Sequence, residues 1–189
     1  MAEIKNDADN LGDVVEGFLF LAPVGTALPT KYDIDAATDL TGFTNVGFVS
    51  EDGIEDSQSD NSNDVVDMHG NVIYTTYSNT QRTIAFKPLE GSSIVAQMLY
   101  GKDNVTSVDG GIKVAHNGDW HSMFAGVYLG TLRNGARIVK TWEKLQTSEI
   151  DTLTTKNGEI EARQVTMKAL AGADGKTNGY TYREIITAA

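Results

Sequence analysis

Residues 124–144 read FAGVYLGTLRNGARIVKTWEK, and this stretch decides the fold class. From Phe124 to Leu132 the side chains alternate in the two-residue period of a β-strand. Asn134-Gly135 is the dipeptide typical of a tight hairpin turn. Every second residue from Ile138 to Lys144 falls on one face of the return strand. The stretch therefore predicts an antiparallel hairpin with two long strands.

The same pattern recurs on both sides of this hairpin. Asp109-Gly110 predicts a second turn, and Asn157-Gly158 predicts a third that joins strands at 149–155 and 160–170. Further strands are predicted at 14–24, 43–49, 82–87 and 180–186. We therefore expect a mainly β chain that forms a β-sandwich or barrel-like domain.

One α-helix is predicted beside the sheet, at about residues 92–100. Ser92 or Ser93 is a suitable N-cap, and Gly101 suits the position just past the end. An apolar stripe with helical spacing lies between them, formed by Ile94, Val95, Met98 and Leu99. A helix this short is marginal alone, so we expect it to pack on the sheet.

Two polar segments fall outside this pattern. Residues 1–13 lack periodicity and predict a flexible N-terminal arm. Residues 50–64, SEDGIEDSQSDNSND, contain one aliphatic residue, Ile54. Such a segment buries little apolar area to offset its ordering entropy, on the order of 1 to 2 kcal/mol per residue. We predict a long protruding loop there that orders on contact with a partner.

Charge is distributed unevenly along the chain. The net charge is −11, which argues against binding DNA by neutralising phosphates. Residues 1–67 hold 15 acidic and two basic residues (net −13), and residues 68–189 hold 11 acidic and 13 basic (net +2). The acidic third is either a solvated surface or a surface that meets the less acidic part of another copy.

Length and composition limit the other possibilities. A chain of 189 residues suits one domain, so we expect a single domain over 1–189. The chain has no cysteine, which excludes disulfides and thiolate metal sites. No apolar run approaches the roughly 20 residues that span a bilayer. The acidic N-terminus is unlike a signal peptide, so we expect the protein to act where it is made or after lysis.

Motifs for catalysis or metal binding are weak. His116 and His121 flank a turn, but only Asp109 and Asp119 lie near them in the sequence, so we expect no metal site. Asp60-x-Ser62-x-Asp64 resembles the start of a calcium-binding loop, but it lacks the glycine and the closing glutamate of such a loop. Calcium binding in this segment is therefore left as an open alternative. No nucleophile, phosphate-loop or zinc-protease motif is present. We expect no enzyme activity and no cofactor.

The basic residues of the 124–144 hairpin form a cluster of Arg133, Arg137, Lys140 and Lys144. With Trp142 beside them they could form a platform for nucleic acid. Given the acidic total, we favour an exposed strand face that pairs with acidic groups of a neighbouring copy.

Several segments, taken in order, resemble the major tail protein (tail tube protein) of long-tailed, non-contractile bacteriophages. Residues 17–30, GFLFLAPVGTALPT, are similar to the family's opening strand and turn. Residues 46–54, VGFVSEDGI, are close to its most specific stretch. Shorter matches follow at Leu99-Tyr100-Gly101, Asn104-Val105-Thr106, Gly110-Gly111 and Asp174-Gly175.

The resemblance implies a structural virion protein that forms six-fold rings with a continuous inner β-barrel. Stacked rings would form the tail tube, through which DNA passes into the host without specific binding. It also implies other tail proteins as partners, such as the tape measure and tail terminator, and synthesis in the bacterial cytoplasm. A membrane is not implied.

We expect subunit contacts at the acidic segment and the basic hairpin. The candidates are Ser50, Glu51, Asp52, Gly53, Ile54, Glu55, Asp56, Asp60, Arg133, Arg137, Lys140 and Lys144. The alternative function is a β-sandwich module of a phage baseplate or cell-surface protein that binds carbohydrate. Its expected mark is exposed aromatic residues on one face, and the candidates are Tyr74, Tyr77, Trp120 and Trp142.

Overall fold

The computed structural model describes residues 12–175 and 178–185, which form mainly β structure. The strands are β1 Val14–Pro23, β2 Thr44–Asn45, β3 Val49–Val66, β4 Val72–Pro88, β5 Val105–Val108, β6 Gly111–Val114, β7 Met123–Leu132, β8 Arg137–Ile150, β9 Val165–Ala169 and β10 Tyr180–Arg183. The helices are α1 Ala36–Asp39 and α2 Ser93–Tyr100, and a 3₁₀ turn follows at Lys102–Asn104.

Eight strands form one antiparallel sheet in the order β2-β1-β7-β8-β9-β4-β3, with β10 also paired to β8. Strand β8 is long enough to pair β10 at Ile138–Thr141 and β9 at Leu145–Ile150 along the same edge. Strands β5 and β6 form a separate hairpin. This arrangement confirms the predicted β-sandwich-like class.

Both faces of the sheet carry buried apolar residues. On one face α2 contributes Val95 and Met98 to a core with Phe86, Phe124 and Trp142. The opposite face holds a smaller cluster around Val127 and Val139, to which Ile34 and Leu40 contribute from the segment after β1. The sheet is therefore the central layer, and the chain on either side of it covers apolar surface that would otherwise meet water.

The predicted helix is confirmed at the expected position. Ser92 is its N-cap residue, although its side chain makes no capping bond, and Gly101 ends it with φ +94°. The hairpin turns at Asp109-Gly110 and Asn134-Gly135 are also confirmed.

Two sequence predictions were wrong in detail. Strand β8 ends at Ile150 and β9 begins only at Val165, so Asn157-Gly158 lies in a longer loop and not in a tight hairpin. Residues 50–64 are not a loop, because they lie inside β3 and pair with β4. The low hydrophobicity of residues 50–64 indicated exposure to solvent. Both faces of a two-stranded ribbon are exposed to solvent, however, so its strands need no alternation of apolar and polar residues.

The predicted arm 1–13 falls almost wholly outside the described residues. Asp13 is described, and its carboxylate Oδ2 accepts a hydrogen bond from Arg133 Nε at 2.6 Å. The chain therefore enters β1 beside the turn between β7 and β8.

Candidate assembly surface

The hairpin of β3 and β4 extends beyond the sheet as a free two-stranded ribbon. Strand β4 pairs with β9 only from Arg82 to Phe86. From Ser59 to Gln81 the two strands pair only with each other among the described residues. We call residues 59–81 the ribbon. An isolated two-stranded ribbon is marginal in water, so a contact that covers it would stabilise it.

A tight, hydrogen-bonded turn closes the ribbon at its far end. The Asp67 carboxylate accepts bonds from the backbone N–H groups of His69 and Asn71 and from Asn71 Nδ2, at 2.8 to 3.0 Å. The bonds from Asn71 lower the pKa of Asp67. Because this turn satisfies its own polar groups, the ribbon keeps a defined end without help from a partner.

Large apolar side chains are exposed near that end. Met68 is 96% exposed at the turn, and Tyr74 and Tyr77 are 64% and 71% exposed. Their neighbours Val65, Val66, Val72 and Ile73 are exposed as well. Clustered apolar exposure of this kind marks contact surfaces more often than scattered single residues do.

An ion cluster anchors the base of the ribbon to the sheet. The Asp56 carboxylate accepts bonds from Arg82 Nε and Nη2 at 2.8 and 2.7 Å and from Lys140 Nζ at 2.9 Å. The Asp56 side chain is only 12% exposed. The Arg82 hydrogen bonds lower the pKa of Asp56 to about 2, with Lys140 contributing, against the opposing effect of burial. The cluster joins β3, β4 and β8 near the point where the ribbon leaves the sheet.

The two outer strands of the sheet leave open edges. Along β1, β2 pairs with Phe20 and Leu21, and the Val46 N–H donates to the Leu19 carbonyl at 2.9 Å. Residues 14–18 have β7 as their only strand partner among the described residues. At the other end, β3 pairs only with β4 in the described chain. Unpaired edges of this length are templates for another strand.

A groove of about 460 Å³ lies between the two open edges. The groove is lined by residues of β1, including Val14, Val15 and Phe18, and by Val49, Ser50, Glu51, Gly53 and Ile54 of β3. Phe48 also lines the groove and is 76% exposed, while its backbone N–H donates to Glu90 Oε1 at 2.9 Å. Residues of β1 and of the start of β3 therefore line the same groove.

The structure places the acidic interface candidates along one strand. Ser50, Glu51, Asp52, Gly53, Ile54, Glu55, Asp56 and Asp60 all lie in β3. Ile54 packs against the core and Asp56 lies in the ion cluster, whereas Glu51, Asp52, Glu55 and Asp60 are exposed. The exposed ones form an acidic outer strand.

Three of the four basic candidates form ion pairs within their own chain. Arg133 pairs with Asp13, Arg137 with Asp33 at 3.0 Å, and Lys140 with Asp56. Lys144 lines a cavity of about 700 Å³ beside the stacked rings of Tyr180 and Tyr182. Trp142 is 1% exposed, so it is core and cannot serve a nucleic-acid platform.

The aromatic residues predicted for a carbohydrate module do not share one face. Tyr74 and Tyr77 are three residues apart with no register shift between them, which places them on opposite faces of the ribbon. Trp120 instead lines a cavity of about 420 Å³ with Tyr100, His116 and Arg163, and the Arg163 guanidinium lies 4.9 Å from the Tyr100 ring centroid.

The possible metal sites are not assembled within residues 12–175 and 178–185. No group of three His, Asp or Glu side chains converges there. The Asp60-x-Ser62-x-Asp64 pattern lies in an extended strand, where successive same-face residues are roughly 6.6 Å apart and do not wrap a cation. In the same described part, no helix is long and apolar enough to cross a membrane.

Sequence reasoning did not identify the apolar end of the ribbon or the open edge of β1 as candidate contact surfaces. The run VIYTTY at 72–77 is rich in β-branched and aromatic residues, which is a strand signal. If this run had been paired with the polar segment before it, the sequence would have predicted a hairpin that includes residues 50–64.

Comparison with known proteins identifies a family to which the chain is similar. A family model described as phage tail tube protein matches residues 7–183. A search of curated proteins found no match.

Proposed function

The chain belongs to the phage tail tube protein family, and from that premise we propose that its copies form hexameric rings that stack into the tube conducting DNA into the host cell. Membership in the family gives the chain a structural role in the phage tail. The ring, its six-fold symmetry and the passage of DNA are the proposed part.

The observation that carries the proposal is the pair of open sheet edges. Strand β1 leaves residues 14–18 without a second strand partner, and β3 leaves its outer side without a strand partner, among the described residues. If β3 of one copy pairs beside β1 of the next, every copy uses both edges. Repetition of that contact closes a ring with a continuous β-barrel and removes the exposed edges.

The ribbon supplies a second kind of contact, between rings. It projects from the sheet with exposed apolar residues at its end. A projection on one copy that meets a different surface on the next is a heterologous contact, which builds open filaments. The arm 1–13 is proposed to contribute to the same contacts.

The negative charge of the chain supports a tube lumen through which DNA passes without binding. The strand β3 carries six acidic and no basic residues, and the chain as a whole has net charge −11. A lumen lined by negative charge would repel phosphates, so DNA would slide without adhering. The same proposal places the protein in the virion tail after synthesis in the bacterial host, with the tape measure and tail terminator as partners.

Negative-stain microscopy of the concentrated, purified protein tests the proposal. Tubes with six-fold symmetry in end views are the expected result. Discrete particles at every concentration would count against self-assembly. Rings with another symmetry would contradict the proposed hexamer but would still support self-assembly into rings.

The second candidate, a carbohydrate-binding module, is favoured only by the cavity at Trp120. Its aromatic wall and the polar groups of Arg163 and Glu149 are of the kind that contact sugars. Discrete particles by microscopy, together with glycan-dependent quenching of Trp120 fluorescence, would favour this candidate over the tube.

A further inference from the structure

Four Asn-Gly dipeptides occur in the chain, and they differ in how firmly their asparagine side chains are held. Asparagine followed by glycine is prone to spontaneous deamidation, because glycine has no Cβ to block the approach of its backbone nitrogen to the asparagine amide. The reaction needs a side-chain amide that can turn toward the next residue and a backbone N–H that is free to react. The four pairs are Asn117-Gly118, Asn134-Gly135, Asn157-Gly158 and Asn178-Gly179.

Hydrogen bonds hold the side chains of Asn117 and Asn178. Asn117 Oδ1 accepts from Asn104 Nδ2 at 2.8 Å and from the Asp119 N–H at 3.0 Å. Asn117 Nδ2 donates in return to Asn104 Oδ1 at 2.6 Å. Asn178 Nδ2 donates to the Ala169 carbonyl at 2.8 Å. Either side chain must break these bonds before its amide can turn toward the following glycine.

At Asn134 both reacting groups are occupied. Asn134 Oδ1 accepts from the Ala136 N–H at 3.0 Å. The Gly135 N–H, which would supply the nucleophile, donates to the Leu132 carbonyl at 2.9 Å. The tight turn between β7 and β8 therefore protects its own asparagine.

Asn157 differs from the other three asparagines in both respects. It lies in an exposed turn of the loop between β8 and β9, and its side chain makes no hydrogen bond to any described residue. The Glu159 N–H closes this turn by donating to the Lys156 carbonyl at 3.3 Å, whereas the Gly158 N–H donates to no backbone carbonyl in the described chain. No atom lies within 4 Å of where a Cβ of Gly158 would stand, so the approach to its nitrogen is open.

We propose that Asn157 is a site of spontaneous deamidation in the folded protein, and that hydrogen bonds protect the other three Asn-Gly pairs. The Gly158 nitrogen attacks Cγ of Asn157, so that the N–Cγ bond forms and the Cγ–Nδ2 bond breaks. The side-chain nitrogen leaves as ammonia with the proton of the Gly158 amide, and a cyclic succinimide remains. Water then opens the ring at one of its carbonyl groups to give aspartate or isoaspartate.

The product changes the charge of a loop that lies over α2. Leu153 and Ile160 of this loop line a cavity of about 440 Å³ together with Val95 and Leu99 of the helix. The new carboxylate makes the formal net charge of −11 more negative by one unit. Because Asn157 is exposed, deamidation gives the protein a second charge form without altering its core.

Peptide mapping of the unassembled wild-type protein tests the inference. A folded sample and a urea-unfolded sample are incubated side by side at mildly alkaline pH, digested at acidic pH and analysed by mass spectrometry. In the folded sample Asn157 should deamidate at least roughly tenfold faster than each of the other three, since breaking a hydrogen bond worth about 1.4 kcal/mol slows a reaction by that factor. In urea the four rates should be similar, because the hydrogen bonds are lost.

Two glycine variants check the chemistry at this turn. Gly158→Ala should slow the deamidation of Asn157 by roughly tenfold, because the added methyl group hinders the attacking nitrogen. Gly53→Ala is the matched control, since Gly53 also has a positive φ and open space around it but lies in β3. This control should leave the rate at Asn157 unchanged. Methylation by a protein isoaspartate methyltransferase identifies the isoaspartate product.

The outcomes decide between protection by the fold and an effect of sequence alone. Deamidation confined to Asn157 in the folded protein and spread over all four asparagines in urea supports the inference. Equal rates at Asn157 and at any of the other three in the folded protein overturn it, as does an Asn157 that stays intact there. A preference for Asn157 that persists in urea also overturns it, because neighbouring residues would then explain the difference. None of these results depends on whether the protein forms tubes.

Discussion

Asp56 on β3 and Arg82 on β4, diagonal neighbours in the strand register, form a bidentate ion pair in which Oδ1 accepts from Nε at 2.8 Å and Oδ2 accepts from Nη2 at 2.7 Å. Lys140 on β8 donates to the same Oδ2. The pair stands where the ribbon leaves the sheet, so its stability bears on both folding and the geometry of assembly. Charge-assisted, bidentate hydrogen bonds of this kind are stronger than hydrogen bonds between neutral groups.

Asp56→Asn should lower the free energy of unfolding at neutral pH by about 1 to 2 kcal/mol, because the variant loses the charge while Arg82 and Lys140 remain. The folded-state pKa of about 2 lies below the ordinary value of 3.8. The contribution of the ionised Asp56 carboxylate to the free energy of unfolding is therefore complete above about pH 4 and is lost as pH falls through about 2. Urea unfolding of the unassembled protein at several pH values measures it.

Asp52→Asn is the matched control for that series. Asp52 is exposed on the same strand, and its carboxylate accepts a 3.1 Å bond from the Ser50 hydroxyl. Its replacement should change stability by no more than about 0.5 kcal/mol. Equal losses from the two variants, or a loss from Asp56→Asn that persists at low pH, would contradict the role of the cluster.

Gly101→Ala should destabilise the protein by about 2 to 4 kcal/mol. Gly101 has φ +94°, and an added Cβ would lie 2.6 Å from the backbone oxygen of Asp119. Gly53→Ala is the control, because its φ is +74° but no atom lies within 4 Å of the new Cβ. Its cost should be about 1 kcal/mol. Thermal unfolding of both variants checks the difference, and similar melting temperatures would refute the crowding argument.

Trimming the ribbon should abolish tubes without unfolding the domain. Asn61 and Ser78 are cross-strand partners, so replacing Ser62–Tyr77 by Asn-Gly joins them through a two-residue turn. The unfolding free energy should stay within about 1 kcal/mol of the wild type, since the removed side chains are largely exposed. Circular dichroism and negative-stain microscopy measure the two effects.

The control for trimming is Asn79→Gly. Asn79 has φ +54° at a register shift in the ribbon, and glycine adopts that conformation readily. This variant should form tubes. Normal tubes from the trimmed chain would show that the ribbon makes no essential contact.

Phe48→Lys should weaken assembly while leaving the isolated protein as stable as before, within about 0.5 kcal/mol. Phe48 is exposed in the groove between the two open edges, and a lysine there places a charge where a strand of another copy would pack. Val108→Lys, at an exposed position of the β5–β6 hairpin, is the control and should still assemble. Sedimentation of both variants over a range of concentrations provides the test, and equal assembly would argue against the groove.

Several features could be read from the sequence because they depend on neighbouring residues. Asn134-Gly135 and Asp109-Gly110 specify tight turns through their own backbone preferences, and both turns formed. The helix was placed correctly because its apolar stripe and Gly101 lie within one short segment. The Asn157-Gly158 turn also forms, but β8 and β9 stop short of it, since strand length depends on partners distant in the chain.

The sequence alone determined a mainly β chain, its hairpin turns, one helix and an exposed acidic stretch at 50–64, because these follow from local conformational preference and solvation. Only the tertiary structure decided that this stretch is a strand, that Lys140 reaches Asp56 across 84 residues, and that β1 and β3 are the open edges. The physical reason is that strand pairing is non-local. A polar segment forms a strand when a partner strand supplies its backbone hydrogen bonds, and nothing within the segment specifies that partner.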